Sequence, residues 1–167
     1  EIGERAFWYC INLKNIYLGD NIKKIGACAF AKCSALDTIT IPENVSYIGE
    51  YAFAACTSLK NIIYNAISCD YNGIIDNSIV PMLMQSETEN IVIGSKVKKI
   101  PNSIFSNTKI TNIKIPDSVI IIELAAFFNC ENLNDVKIGE NVGEIYQQVF
   151  QGCAINQITI PKNVYLM

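Results

Sequence analysis

The stretch Leu13-Lys-Asn-Ile-Tyr-Leu-Gly-Asp-Asn21 sets apolar residues at Leu13, Ile16 and Leu18 and closes on an amide. Ile16 and Leu18, two residues apart, fall on one face of a short strand, and Tyr17 between them faces out. The same spacing returns at Leu36, Ile39, Ile41 and Asn44, and at Ile110, Ile113, Ile115 and Ser118. It returns again at Leu133, Val136, Ile138 and Asn141, and at Ile155, Ile158, Ile160 and Asn163. Gly19, Pro42, Gly94, Pro116, Gly139 and Pro161 follow the strands, where the chain has to turn. Working outward, Ile-Gly stands at positions 2, 25 and 48, a period of 23 residues, with Ala-Phe at 6, 29 and 52. Cys10, Cys33 and Cys56 come three residues after each Phe. After an interruption the pattern resumes at Phe105, at Phe127 with Cys130 and Leu133, and at Phe150 with Cys153.

A period of this length is that of a solenoid, in which each copy buries its apolar face only against its neighbours. Each strand would pair in parallel with its counterpart one turn on, about 4.8 Å away. The unit I-G-x-x-A-F-x-x-C-x-x-L-x-x-I-x-I-P-x-x-V resembles the BspA-type leucine-rich repeat over residues 2–64 and 91–167. The expected fold is therefore a leucine-rich-repeat solenoid, right-handed, with a parallel β-sheet on one face and short strands, turns and brief helical turns on the other. One domain of about seven turns is expected over 1–167. Its repeat starts and stops at the same phase, Ile2 to Met167, without capping ends, so a fragment of a longer array is expected. Residues 65–90 break the rule, because Phe53 to Phe105 holds one turn of 23 residues and an enlarged one of 29. There Tyr71-Asn-Gly-Ile-Ile-Asp-Asn77 and Ile79-Val-Pro81 read as a hairpin-like excursion.

Composition removes several function classes. Half of the 167 residues are apolar, 17% are charged, the net charge is −3 and there is no histidine. That supplies a sizeable core but neither the commonest general base nor the commonest metal ligand. A pI near 5.0 argues against a nucleic-acid partner. The longest apolar run, Val119 to Phe128, is interrupted by Glu123, so this segment is not expected to insert into a membrane. No cofactor is expected, and the chain is read as not an enzyme.

Residues with chemical potential each have a plainer reading. Five of the seven cysteines share one slot, which fits small buried side chains better than metal ligands. Cys28 and Cys69 lie off that column, and Cys69 is expected to be the reactive thiol. Asp20, Glu43, Asp117 and Glu140 share a post-strand slot, where carboxylates are ordinary turn residues. The Asn closing each strand is expected inside the core, satisfying backbone groups at the bend, so the sequon at Asn44 is read as silent. Trp8 and Tyr9 could anchor a partner or pack on turns missing from this chain.

The serious binding candidate is the outward strand column: Tyr17, Thr40, Ile63, Val92, Lys114, Lys137 and Thr159. Beside it run Asn15, Thr38, Asn61, Asn90, Asn112, Asp135 and Gln157. Ile63 and Val92 are exposed apolar contacts on one reading and strand formers covered by the 65–90 excursion on the other. The resemblance implies a non-enzymatic binding module of a surface protein, recognising protein or glycan partners in adhesion, host extracellular matrix among them. It implies a cell-surface or secreted location. The alternative is a structural or intracellular scaffold segment, cytoplasmic, whose face binds nothing tightly.

Overall fold

A computed structural model describes residues 1–71, 74–75 and 78–166. Asn72, Gly73, Asp76 and the repeat slots expected near Asn77 and at Met167 lie outside them. In chain order the strands are β1 (Lys24–Ile25), β2 (Thr38–Ile41), β3 (Tyr47–Ile48), β4 (Asn61–Tyr64), β5 (Asp70–Tyr71), β6 (Ile74–Ile75) and β7 (Ser78–Ile79). They continue with β8 (Asn90–Ile93), β9 (Lys99–Ile100), β10 (Asn112–Lys114), β11 (Ile121–Ile122), β12 (Asp135–Lys137), β13 (Glu144–Ile145) and β14 (Tyr165–Leu166).

Parallel ladders stack these strands into a solenoid with two faces. The first face carries β2-β4-β8 and β10-β12, and the second carries β1-β3-β5 and β9-β11-β13-β14. Equivalent residues of successive coils meet in register, as in Ile39↔Ile62↔Ile91 on the first face and Ile25↔Ile48↔Tyr71 on the second. Alternation does the sorting: Ile39 and Ile41 are buried while Thr40 between them is exposed. Each strand therefore adds one apolar row to a core shared by the whole array.

The arcs that join the second face to the first are not the helical turns expected. Among the described residues there is no helix. Alternate amides serve different partners: Ala29, Ala31 and Cys33 N–H donate within their own arc, whereas Cys28, Phe30 and Lys32 N–H donate to Glu50, Ala52 and Ala54 carbonyls of the next coil. Left-handed residues four apart make this possible. They are Arg5 and Tyr9, Cys28 and Lys32, Tyr51 and Ala55, Ser103 and Asn107, and Ala125 and Asn129, then Gln148 with Gly152. A positive φ ends each single turn and swings the following amides along the solenoid axis. Non-glycine residues hold this conformation at roughly 1–2 kcal/mol each, so the inter-coil bonds must over-determine it.

The Ile-Gly pair has a packing cause. A Cβ at Gly26 would stand 2.6 Å from the Glu4 nitrogen, and one at Gly49 would stand 2.4 Å from the Ala27 nitrogen. Successive backbones simply come too close there for a side chain.

Inside the arcs, Phe7, Phe30 and Phe53 stack at 5.2 Å between centroids, within 7° of parallel. Phe127 and Phe150 stack likewise at 5.6 Å. Beside them runs a column of thiols. Cys33, Cys56, Cys130 and Cys153 Sγ each lie 3.1–3.2 Å from a Phe carbonyl of the preceding coil, Phe7, Phe30, Phe105 and Phe127 in turn. The slot thus holds a small apolar group that also donates a weak hydrogen bond. Burial raises the Cys33 thiol and pushes that of Cys56 up to about 12.

Cys69 differs from expectation. It lies next to β5 with its side chain turned inward, fully buried, and burial pushes its thiol up to about 12. The exposed cysteine is Cys10. Asn44 is a second correction: it is exposed, and its Nδ2 donates to the Asp20 carbonyl 2.8 Å away, as Asn141 does to Asp117 at 3.0 Å. The amide does bind backbone at the bend, but from the rim of the bend.

The excursion is a hairpin that leaves the second face directly after β5. In it β6 and β7 pair antiparallel through Ile74↔Ile79 and Ile75↔Ser78. Tyr71 donates its hydroxyl to the Val80 carbonyl at 2.7 Å and pins the hairpin base. Phe53 N–H donates to Met82, as Phe30 N–H does to Ala52, so Leu83 occupies the Phe slot of the next arc. The ring that Leu83 lacks comes from the strand side, where fully buried Tyr64 meets Phe105 edge-on at 5.4 Å.

Candidate functional site

Every residue of the outward column is exposed. Three of them form one ladder row, Thr40↔Ile63↔Val92, and two form another, Lys114↔Lys137. Tyr17 and Thr159 lie on extended segments outside the ladders, so the column is two paired rows with single residues at each end. Tyr17 shares a shallow cleft with Thr40, Asp20 and Glu43, and Thr159 shares another with Lys137 and Glu140.

Ile63 is 38% exposed and Val92 is 59% exposed. The expected cover is missing because the hairpin departs from the second face, on the far side of the core from β4 and β8. Among the described residues no ladder pairs β8 with β10, and an open groove lies between them. Val92 forms its apolar wall, and Asn112 and Lys114 face it. The sequence signal for this break is the shortened spacing from Phe105 to Phe127, 22 residues in place of 23.

The neighbouring polar column is partly tied together. Asn61 Nδ2 lies 3.4 Å from Thr38 Oγ1, and Asn90 Nδ2 donates to Asn61 Oδ1 at 3.0 Å. This row of linked side chains flanks the apolar pair.

Charge is distributed unevenly over the molecule. Lys96 pairs with Glu43 at 3.0 Å, Lys109 pairs with Glu87, and Lys99 meets both Asp70 and Glu123. Burial alone would pull the Lys99 amine down, but the two carboxylates outweigh it and hold the group above the usual lysine range. Among the described residues Lys114 and Lys137 have no such partner. Of the post-strand carboxylates, Asp117 accepts the Glu140 N–H at 2.9 Å and Glu43 holds Lys96, which are turn and ion-pair roles.

A second exposed cluster lies on the first arc. The Trp8 and Tyr9 rings stand 5.8 Å apart, and the Lys32 amine sits 5.6 Å above Trp8. Among the described residues no three His, Cys, Asp or Glu side chains are grouped to hold a metal ion, and no helix is long and apolar enough to cross a membrane.

The chain is similar to a leucine-rich repeat protein from Bacteroides ovatus of known crystal structure. Identity is 22% and the TM-score 0.59, over 99% of this chain and 48% of that one. A leucine-rich cell-surface protein from Faecalibacterium prausnitzii is 23% identical with a TM-score of 0.48, over 90% of this chain and 41% of that one. The chain thus spans about half the length of the solved structures it matches. Among curated proteins none matches. The BspA type leucine-rich repeat region matches residues 1–75 and 83–167 in six copies. With that match over nearly the whole chain and the stacked parallel coils beneath it, the chain belongs to the BspA-type leucine-rich-repeat family.

Proposed function

We propose that this solenoid is a non-enzymatic binding module of a cell-surface protein, recognising protein or glycan partners in adhesion through its outward strand face. The observation that carries the reading is the in-register pair Ile63 and Val92, two aliphatic side chains left open in one row of the outward face. The linked row Thr38, Asn61 and Asn90 supports it by fixing polar groups next to that pair. Family membership supports the surface location, in line with the resemblance read from the repeat unit.

The test is binding of the purified chain to immobilised extracellular-matrix proteins, compared with an Ile63→Arg/Val92→Arg variant and a Lys114→Glu/Lys137→Glu variant. Binding that falls at least about tenfold in the first variant, some 1.4 kcal/mol, supports the face. Equal binding by wild type and both variants removes it.

A further inference from the structure

Granting that the outward face is a binding surface, we propose that its occupant is an extended acidic peptide segment. Its apolar side chains rest on Ile63 and Val92, and its carboxylates follow toward Lys114 and Lys137. Those four residues occupy the outward slot of four consecutive coils. Ile63 and Val92 are one ladder step of about 4.8 Å apart, as are Lys114 and Lys137, and the open groove between β8 and β10 separates the two pairs. An extended peptide repeats its same-side residues about every 6.8 Å, so when one apolar side chain rests on the Ile63–Val92 pair the next same-side residues across the groove face Lys114 and Lys137. The pattern it reads is an apolar residue followed, at even spacing on the same side of the peptide, by Asp or Glu.

The lysines themselves argue for an anion. Lys114 and Lys137 are directly opposed in the ladder, and like charges so placed oppose pairing of the strands. Among the described residues carboxylates pair with Lys96, Lys99 and Lys109 and not with this pair. What sets the pair apart from the other unpaired lysines is that its two charges stand side by side in one ladder row. Asp135 shares the face two residues before Lys137 but makes no ion pair with it. The groove between β8 and β10 brings the two chemistries together, with Val92 on one wall and Lys114 on the other. Peptide fits better than anionic sugar, because Ile63 and Val92 offer branched aliphatic surface and no flat ring for a sugar face. Side-chain amides at Asn90 and Asn112 flank the track and suit main-chain peptide groups.

The experiment pans a random linear peptide display library against the 167-residue chain and measures enriched peptides by fluorescence anisotropy. It uses wild type, Lys114→Glu/Lys137→Glu and Ile63→Arg/Val92→Arg, with oligogalacturonate as a competing anionic glycan. All four substitutions replace exposed side chains, and an unchanged denaturation midpoint verifies that each variant is folded. Enriched peptides carrying the apolar-to-acid spacing, weakened about tenfold by the lysine reversal and weakened by added salt, support the proposal. Peptides that need Ile63 and Val92 but ignore the lysines overturn it while leaving the face as a binding surface. Lysine-dependent binding of oligogalacturonate without acidic peptides overturns it in favour of a glycan. Binding unaffected by either variant overturns both this proposal and the function it rests on.

Discussion

Phe7, Phe30 and Phe53 stack ring on ring beneath three regular coils, whereas the coil that follows the hairpin offers Leu83 and borrows Tyr64 from the opposite strand. On the second face, β1, β3 and β5 pair continuously, but among the described residues β5 and β9 share no ladder, and the backbones meet instead where Lys98 N–H donates to the Ile67 carbonyl at 2.7 Å. Lys99 bridges that gap from side chain to side chain, reaching Asp70 on β5 and Glu123 beyond β11. Repetition in the first region makes every coil the template for the next. In the second region an inserted hairpin is accommodated because core volume and cross-coil contact are restored by residues from other slots. The array requires filled layers, and it is less particular about which element fills them.

Core truncation should give the largest effect. Phe30→Ala leaves a ring-sized hole between two stacked neighbours and should cost about 3–5 kcal/mol in chemical denaturation. Leu83→Ala should fall near the low end of its class, about 2 kcal/mol, because Tyr64 can lean into the space. Equal losses would mean that the irregular coil is packed as rigidly as the regular ones. Next comes backbone approach: Gly49→Ala forces a Cβ onto the Ala27 backbone and should cost about 1–3 kcal/mol, while Gly3→Ala, with nothing within 4 Å, should stay within about 0.5. Lys99→Met should cost about 1 kcal/mol at low ionic strength and less in high salt, since Asp70 is largely exposed.

Alkali tests the thiol column directly. The Cys56 and Cys69 thiols titrate near 12 in the folded chain against 9.0 for an ordinary thiol, so above pH 9 the unfolded state binds fewer protons. Their stabilising contribution is complete below pH 9 and is lost progressively up to about pH 12, a fall that Cys56→Ala should make shallower. The smallest effect is a gain. Ala55→Gly relieves a left-handed alanine and should stabilise by about 0.5 kcal/mol, whereas Ala54→Gly next to it should destabilise.

Much of this architecture is legible in the repeat itself. Strand slots such as Ile39 and Ile41, the Phe stack and the thiol column are apolar positions at fixed spacing, and spacing survives translation into coils. The left-handed pairs are not legible, because Arg5, Tyr9, Cys28 and Lys32 carry no local preference for positive φ and are held there by bonds to the next coil. Cys69 misleads because its burial depends on where the hairpin leaves the chain. The outward column is readable residue by residue, but its division between β8 and β10 is a property of ladder pairing, which single residues do not encode.

Among the described residues the two faces lose their ladders at different joints, β5–β9 on one and β8–β10 on the other, and this has a mechanical consequence. A pull along the solenoid axis loads every coil in series, like a spring, and the extension collects at whichever joint is softest. The β5–β9 joint is backed by the β4–β8 ladder and by Lys98 N–H donating to the Ile67 carbonyl at 2.7 Å, and the β8–β10 joint by the β9–β11 ladder. Each unladdered joint keeps a ladder on its opposite face, so under tension the array should open there as a hinge and bend before any coil separates.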